Sequence, residues 1–410
     1  MEKRSRRLAA SLLLAAAPAL AQQGDGTSTN SGTGSTIIYI VIGIIVVLFI
    51  IVAFFVWKRK QNRKREDDAD YALPSTSRHD GVAAHHQRPM TAVAAAGDMP
   101  AARKPSAEML ARSREVAERV MADFRTDPDL EQRWIPYSSL YFTRVLSKGA
   151  FGEVWLAQLE NTQVAVKRIL AEKKHDEKEI ECFGAEIKLM ALFQHPKIVG
   201  FIGVSWSAEQ DMCAVTEFMA RGDLYGYLKR RQGKLNWPEH KVFLAEDIAD
   251  ALVYLHSLSP KVIHRDLKSK NILLDDAYRA KLSDFGISRK RSVEETMTAG
   301  VGTIYWTAPE VLMGKKYTEK ADIFSFGIVM SEMDTCIVPY SDKRDDSGKK
   351  LQGMKVVQLV IRKALRPSFA ANCPAAIKAL ADRCLDANPD VRPDAPELLG
   401  ILRRIQDDLL

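Results

Sequence analysis

The segment His264-Arg265-Asp266-Leu267-Lys268-Ser269-Lys270-Asn271, followed along the chain by Asp284-Phe285-Gly286, decides how this sequence is interpreted. It presents two carboxylates, Asp266 and Asp284, and the carboxamide of Asn271. Oxygen ligands of this kind suit Mg²⁺, which takes few protein ligands and leaves positions for phosphates and water. Transfer of a phosphoryl group from ATP needs such ligands, because negative charge spreads over three phosphate oxygens. The pattern therefore predicts phosphoryl transfer with ATP and Mg²⁺.

Each polar side chain in this pattern has a predicted role. Asp266 is expected to accept or orient the proton of the attacking hydroxyl group, and Lys268 to reach the transferring phosphate as a point charge. Asn271 and Asp284 are the expected metal ligands. The alternative is a polar loop whose aspartate caps a helix. One residue alone would favour that alternative, whereas the ordered set favours catalysis.

A glycine-containing turn upstream predicts the site for the ATP phosphates. The run from Leu146 to Trp155 places Gly149 and Gly152 between two apolar, β-prone segments, so that the backbone can approach phosphates closely. A simple hairpin turn also uses glycine. The interpretation gains weight from Val164-Ala165-Val166-Lys167, a strand-like run that ends in a lysine suited to bind the α- and β-phosphates.

Lys167 needs a carboxylate partner to fix its ammonium group. Glu186 is the predicted partner, because apolar residues recur around it at the spacing of a helix. Glu179 and Glu181 are alternatives, but the charged run around them is typical of a solvated face.

Taken in order, these motifs resemble those of the eukaryotic protein kinase domain. The resemblance covers residues 140–410, is nearest to the tyrosine-kinase-like group of serine/threonine kinases, and includes Ala308-Pro309-Glu310. It implies an α+β, bilobal fold with a small β-rich N-terminal lobe, a larger helical C-terminal lobe and ATP in the cleft between them. It also implies protein substrates.

The resemblance implies an adenine pocket with three kinds of lining residue. Four apolar side chains would sandwich the ring: Leu146, Val154, Ala165 and Leu273. Thr216 would guard the back of the pocket, and the backbone of Glu217 and of Met219 would bind the adenine.

The resemblance also implies supporting and regulatory residues. Asp322 resembles the helix residue that anchors the catalytic loop, and Arg392 resembles the partner of Glu310 in a buried ion pair. In the loop between Asp284 and Glu310, the predicted switch is a phosphate on Thr296 or Thr298.

One position departs from the family pattern. Ser147 stands where the first loop glycine is expected, so the loop reads Ser-x-Gly-x-x-Gly. Gly149 and Gly152 remain and flank the tip of the loop. We expect altered loop mobility with activity retained.

The hydroxyl specificity is predicted from the same resemblance. Lys268 and the pair Gly302-Thr303 resemble serine/threonine kinases, whereas Tyr305-Trp306-Thr307 is somewhat closer to tyrosine kinases. Serine/threonine specificity is predicted, with tyrosine or dual specificity as the alternative. A pseudokinase scaffold is a second alternative, which the complete set of catalytic residues disfavours.

The amino-terminal third predicts a membrane anchor. Residues 1–21 combine a basic start, an apolar centre and Ala19-Leu20-Ala21, which is the pattern of a cleaved signal peptide. Residues 37–57 form an uncharged apolar run of about 20 residues, enough to cross a bilayer as a helix. The basic segment 58–65 would stay in the cytoplasm. We therefore expect a single-pass type I protein of the plasma membrane, with a Gly/Ser/Thr-rich extracellular segment at 22–36 and the kinase domain in the cytoplasm.

The charge and the cysteines agree with this arrangement. The signal region contributes +3 (four basic residues less Glu2) and the basic segment 58–65 contributes +6 to the formal net charge of +7, which indicates a membrane flank in contact with the lipid bilayer and no nucleic acid partner. All five cysteines lie in the predicted kinase domain, which suits free thiols in a reducing compartment. The extracellular segment is too short to fold alone, so a membrane co-receptor or a homodimer is the expected route for an outside signal.

Residues 58–139 are predicted to link the membrane to the kinase domain. Most of the linker has the composition of a disordered chain, but a helix is predicted over 105–127. Six apolar residues share one side of that helix: Met109, Leu110, Val116, Val120, Met121 and Phe124. The helix either restrains the small lobe or buttresses it, and we favour buttressing.

Overall fold

The computed structural model describes residues 106–149, 152–207, 211–285, 303–351 and 353–409. The predicted signal peptide, extracellular segment and membrane span lie outside these residues, as do Thr296 and Thr298. Among the residues described, no helix combines the length and the apolar character needed to span a membrane.

The N-terminal lobe is built on a five-stranded antiparallel sheet in the order β1-β2-β3-β5-β4. The strands are β1 (Leu140–Lys148), β2 (Gly152–Leu159), β3 (Thr162–Ile169), β4 (Phe201–Trp206) and β5 (Met212–Glu217). Val164 and Val166 of β3 are fully buried, while the residues between and beside them are at least partly exposed. This alternation is expected of a strand with one face toward a core.

Three helices accompany this lobe: α1 (Ala107–Thr126), α2 (Pro128–Glu131) and α3 (Glu177–Leu192). Asp176 begins α3 by accepting hydrogen bonds from the amides of Lys178 and Glu179, which satisfies donors that the first turn leaves open. Helix α1 lies against α3 and begins at the capping residue Ser106. The predicted helix is therefore present.

The apolar side of α1 is buried over only part of its length. Val116, Met121 and Phe124 are buried, but Met109 and Leu110 are exposed. The ion pairs between the two helices begin at Arg119, which meets the second turn of α3. Met109 and Leu110 precede the part of α1 that α3 can cover.

The C-terminal lobe is mostly helical. Its helices are α4 (Leu224–Arg230), α5 (Val242–Ser257), α6 (Pro309–Leu312), α7 (Lys320–Thr335), α8 (Met354–Ile361), α9 (Ala375–Cys384) and α10 (Ala395–Leu409). Its small sheet has the strands β6 (Gly222–Asp223), β7 (Ile272–Leu274) and β8 (Ala280–Leu282). Single helical turns of this lobe lie at Trp237–Lys241, Ser269–Asn271, Thr303–Trp306 and Pro389–Val391, and one more, Tyr137–Ser139, precedes β1 in the N-terminal lobe.

Helix α7 is the centre of this lobe. Every residue from Ala321 to Asp334 is buried, as expected for a helix with apolar residues all around it. Helices α5, α9 and α10 contribute to the same core. The predicted α+β bilobal fold is confirmed, and the five cysteines are free thiols, as predicted.

Candidate active site

The catalytic loop is fastened to the buried helix α7. Asp322 on this helix is 1% exposed and accepts hydrogen bonds from the backbone amides of His264 at 2.8 Å and Arg265 at 3.0 Å. Its carboxylate also lies 2.9 Å from Nε2 of His256. Arg265 has a positive φ of 68°, a strained conformation that persists only where the surroundings fix it. The predicted contact of Asp322 with this loop is confirmed.

Asp266, Lys268 and Asn271 meet directly in the loop. Lys268 Nζ donates to Asp266 Oδ2 at 2.9 Å. Asn271 Nδ2 donates to the same oxygen and to the backbone carbonyl of Asp266, both at 2.9 Å. Because the amide nitrogen of Asn271 makes these bonds, its amide oxygen is the atom that can bind a cation.

Asp284 is held beside Asn271 through its neighbour Ser283. The amide and the hydroxyl of Ser283 donate to the backbone carbonyl of Asn271 at 2.9 Å and 3.1 Å. Asn271 directly precedes β7 and Ser283 directly follows β8, and the two strands pair at Ile272 and Leu282. The sheet register therefore brings the two predicted metal ligands together.

This donor set fits Mg²⁺. The ion keeps several waters and binds through one or two carboxylates together with substrate phosphates. One carboxylate and one carboxamide meet that need, and the side chain of Asp284 is 49% exposed and accessible to a ligand. In the described part of the chain, no group of three or more His, Cys, Asp or Glu side chains forms a denser metal site.

Lys167 on β3 connects the two lobes. Its Nζ lies 2.6 Å from Glu186 Oε1 on α3 and 2.7 Å from Asp284 Oδ1. The alternatives Glu179 and Glu181 form ion pairs elsewhere. Glu186 is therefore the partner of Lys167. We call Lys167, Glu186 and Asp284 the phosphate clamp.

Burial and charge shift the pKa of each group in the phosphate clamp. Burial alone would lower the pKa of Lys167, but the carboxylates of Asp284 and Glu186 raise it above its ordinary value. Burial raises the pKa of Glu186, although Lys167 opposes this shift. The charge of Lys167 lowers the pKa of Asp284. At neutral pH the clamp thus presents a stable cation, Lys167, and an ionised carboxylate, Asp284.

A row of three tilted aromatic rings links the end of α3 to the catalytic loop. The ring of Phe285 lies 4.6 Å from that of Phe193, which directly follows α3, and 5.2 Å from that of His264. Burial lowers the pKa of His264, which favours its neutral form. The sequence identified Phe285 and His264 as motif residues, but it did not predict the contact of Phe285 with Phe193.

The glycine turn connects β1 to β2. Gly149 N donates to the carbonyl of Gly152 at 2.8 Å. A Cβ on Gly152 would lie 2.8 Å from the carbonyl oxygen of Arg168, so only glycine permits this approach of β2 to β3. Ser147 pairs with Val154 across the hairpin. The tip, residues 150–151, lies outside the described residues.

The predicted adenine-pocket residues fall on both lobes. The four apolar residues are each partly exposed: Leu146, Val154, Ala165 and Leu273. Ala165 pairs with Thr216 across β3 and β5. The carboxylate of Glu217 lies 2.7 Å from Nζ of Lys281 on β8, so this ion pair ties the small sheet of the C-terminal lobe to the end of β5. Met219 follows β5 and is buried.

A buried glutamate of α7 is hydrogen-bonded to the catalytic loop, and the sequence analysis did not predict it. Glu332 on α7 accepts hydrogen bonds from Ser269 Oγ at 2.7 Å and Trp306 Nε1 at 2.6 Å. Burial raises its pKa to about 8. The available signal was an acidic residue inside a mainly apolar helix.

The predicted pair of Arg392 and Glu310 is confirmed. Arg392 Nη1 and Nη2 donate to the two carboxylate oxygens of Glu310 at 2.7 Å and 2.8 Å, and both residues are buried. This pair fastens the start of α6 to the chain before α10.

The cleft between a β-sheet lobe and a helical lobe, lined by a phosphate clamp and a catalytic loop, defines the protein kinase class. A family model described as protein tyrosine and serine/threonine kinase matches residues 140–402. The chain therefore belongs to this family, whose members use ATP.

Individual relatives are similar over the same region. The chain is 38% identical over 261 residues to the probable serine/threonine-protein kinase drkB of Dictyostelium discoideum, a match covering 64% of this chain and 36% of drkB. It is 38% identical over 260 residues to the probable serine/threonine-protein kinase drkA of the same organism, covering 63% and 39%. It is 37% identical over 268 residues to R818 of Acanthamoeba polyphaga mimivirus, named as a candidate serine/threonine-protein kinase/receptor, covering 65% and 15%. The chain thus spans well under half of each of these relatives.

Proposed function

We propose that this chain is a serine/threonine protein kinase of the tyrosine-kinase-like group, which transfers the γ-phosphate of ATP to hydroxyl groups of proteins. The observation that carries the proposal is the contact of Lys167 with Glu186 at 2.6 Å and with Asp284 at 2.7 Å. It holds a stable cation next to a metal ligand, where a nucleotide's phosphates need both.

The catalytic loop would perform the proton and charge steps. Asp266 is oriented by Lys268 and Asn271, so its carboxylate can accept or orient the proton of an incoming hydroxyl group. Lys268 would neutralise charge that develops on the transferring phosphate. Lys167 would hold the α- and β-phosphates, and the glycine turn would cover them.

Asn271 and Asp284 would hold Mg²⁺ in this reaction. When bound, the ion would neutralise phosphate charge and fix the phosphates in place. The chain's own contribution is the pairing of β7 with β8, which keeps the two ligands adjacent before any nucleotide arrives.

The preference for serine and threonine is supported by Lys268 and by the names of drkB and drkA, both probable serine/threonine-protein kinases. Lys268 is bonded to Asp266, at the point where the substrate hydroxyl group must approach. Tyrosine or dual specificity is the competing activity, and a scaffold without turnover is the competing class.

The test is transfer of the γ-phosphate from labelled ATP to protein by the full chain, followed by phosphoamino-acid analysis. Phosphoserine and phosphothreonine are expected, and Asp266→Asn should lower the labelling about 100-fold or more. Predominant phosphotyrosine would overturn the specificity, and equal labelling by Asp266→Asn would overturn the assignment of Asp266.

We also propose that the kinase is anchored in the plasma membrane as a single-pass type I protein. The support is the sequence: a signal peptide at 1–21, an apolar run at 37–57 and a basic flank at 58–65. The name of R818 includes the word receptor. Signals from outside would arrive through a membrane co-receptor or through homodimerisation.

Membrane anchoring is tested by expressing the full chain in cells and extracting membranes at alkaline pH. The protein should remain in the membrane pellet, and a C-terminal tag should be protected from protease until the membrane is opened. Release into the supernatant, or a tag accessible from outside, would contradict the proposal.

A further inference from the structure

Helix α1 lies outside the family match at 140–402, yet it packs against the helix that carries Glu186. We propose that α1 is a positioning element for catalysis: it fixes α3 so that Glu186 stays on Lys167, and Gly184 is the residue that admits it. This inference rests on the kinase activity proposed above.

Gly184 and Glu186 lie on opposite faces of α3. They are two positions apart, which is about 200° around a helix. Glu186 contacts Lys167, whereas Gly184 faces Val120 of α1. A change in packing at Gly184 that displaces α3 therefore also displaces Glu186, which lies on the catalytic face of the same helix.

The contact at Gly184 leaves no room for a side chain. A Cβ built there would lie 2.5 Å from Cγ1 of Val120, closer than carbon atoms approach. Valine is stiff at χ1, and Val120 sits within a helix of 20 residues. Relief would require α1 to move outward or α3 to rotate about its axis.

Apolar packing is what holds α1 in place. Four residues of α1 form one cluster with four residues of α3: Val116, Ala117, Met121 and Phe124 with Ile180, Phe183, Ile187 and Ala191. Two ion pairs also cross the interface, Arg119 with Glu181 and Asp123 with Lys188, but their side chains are 41% to 60% exposed. Exposed pairs of this kind contribute little.

The chain after α1 is fastened as well, which prevents α1 from sliding. The amide of Ile135 donates to the carbonyl of Val204 at 2.9 Å, and the amide of Val204 donates to the carbonyl of Arg133 at 3.0 Å. The side chain of Arg133 donates to the carbonyl of Ala191, in the last turn of α3, at 3.2 Å. The segment is therefore tied both to β4 and to α3.

The structure has α1 packed on α3 and, at the same time, the ion pair between Lys167 and Glu186 formed. With α1 in contact, Lys167 and Glu186 are bonded, which is the arrangement that phosphate binding needs. A helix that restrained the enzyme would hold α3 with these two residues apart. The geometry favours positioning.

The experiment is a double-mutant cycle in the full chain with Gly184→Ala, Val120→Ala and the combination of both. Alanine is the better helix former, so a loss in Gly184→Ala cannot come from a weaker α3. We expect Gly184→Ala to lower kcat/KM for ATP about tenfold or more, and the double variant to return to within about threefold of Val120→Ala. The KM for the protein substrate should not change, and Met109→Ala, at an exposed position of α1, should behave as wild type.

A second measurement is independent of turnover. Amide hydrogen exchange over residues 177–192 should be faster in Gly184→Ala than in the wild type, and slower again in the double variant. Full activity and unchanged exchange in Gly184→Ala, or a double variant no better than the single one, would overturn the inference. If the wild type transfers no phosphate, the proposed function fails, while the exchange data still decide whether α1 positions α3.

Discussion

The catalytic loop and the phosphate clamp face the same cleft, but they are held by different means. The loop is hydrogen-bonded to two buried acidic side chains of one core helix, Asp322 and Glu332 on α7. The clamp is assembled from three separate elements: Lys167 on β3, Glu186 on α3 and Asp284 after β8. One region is thus part of the core, and the other is a meeting point of independent parts.

This difference shows which part of the active site can move while the protein stays folded. Breaking these buried hydrogen bonds would leave polar groups unsatisfied, which is costly, so the loop cannot move while the C-terminal lobe stays folded. The clamp depends on where α3 sits, and α3 is placed by packing against the sheet and α1. A shift of α3 would separate Lys167 from Glu186 and leave the core of the C-terminal lobe intact.

The largest expected effect comes from Asp322→Ala. The substitution leaves the amides of His264 and Arg265 without their acceptor, and the free energy of unfolding should fall by about 3 to 5 kcal/mol. Urea unfolding measures this. The control is Asp382→Ala, which removes an exposed ion pair with Lys378 and should change stability by less than about 0.5 kcal/mol. Equal stability of the two variants would remove the contrast between loop and clamp.

Glu186→Gln should affect activity far more than stability. The amide keeps a hydrogen-bonding oxygen near Lys167 but removes the charge that fixes the ammonium, so turnover should fall about 100-fold. The free energy of unfolding should stay within about 1 kcal/mol, because a neutral amide is easier to bury than a carboxylate. Glu181→Gln on the same helix is the control and should keep full turnover. A large loss of stability in Glu186→Gln would show that the clamp, too, belongs to the core.

Glu332, which is hydrogen-bonded to the catalytic loop, should make the free energy of unfolding depend on pH. Burial raises its pKa to about 8 in the folded state, above the ordinary value, so the folded protein binds one more proton than the unfolded chain between about pH 4.5 and 8. Stability should therefore decline with rising pH across that window. Glu332→Gln has no such group, and its stability relative to the wild type should rise by on the order of 1 to 3 kcal/mol from pH 5 to pH 8. Parallel stability curves for the two proteins would show that Glu332 is ionised throughout.

The smallest expected effect is at Ser147. Glycine at this strand position would loosen the hairpin pairing with Val154, so Ser147→Gly should weaken ATP binding about two- to fourfold. Isothermal titration with ATP measures the change. Unchanged affinity and turnover would mean that serine at this position is silent.

The sequence predicted the catalytic loop because its residues are close together in the chain. Asp266, Lys268 and Asn271 lie within six positions, so one motif contains their contacts. Glu186 was predicted because helical periodicity selected it over Glu179 and Glu181. The bilobal fold was implied by the resemblance of the ordered motifs to the protein kinase domain.

Contacts between distant elements could not be predicted in this way. Glu332 reaches Ser269 across 63 positions and Trp306 across 26, and no local pattern pairs them. The approach of Gly184 to Val120 depends on the distance between two helix axes, which periodicity does not give. The same limit explains Met109 and Leu110, because the pattern defines a face of α1 but not how far α3 covers it.

The most direct test of the account is ATP binding and phosphate transfer by the full chain, measured side by side for the wild type and Asp266→Asn. The account predicts that both bind ATP with similar affinity, because the clamp is intact in both. The wild type should transfer phosphate to protein at a rate about 10² to 10⁴ times that of the variant. ATP binding with no transfer by either protein would contradict the account and leave a nucleotide-binding scaffold.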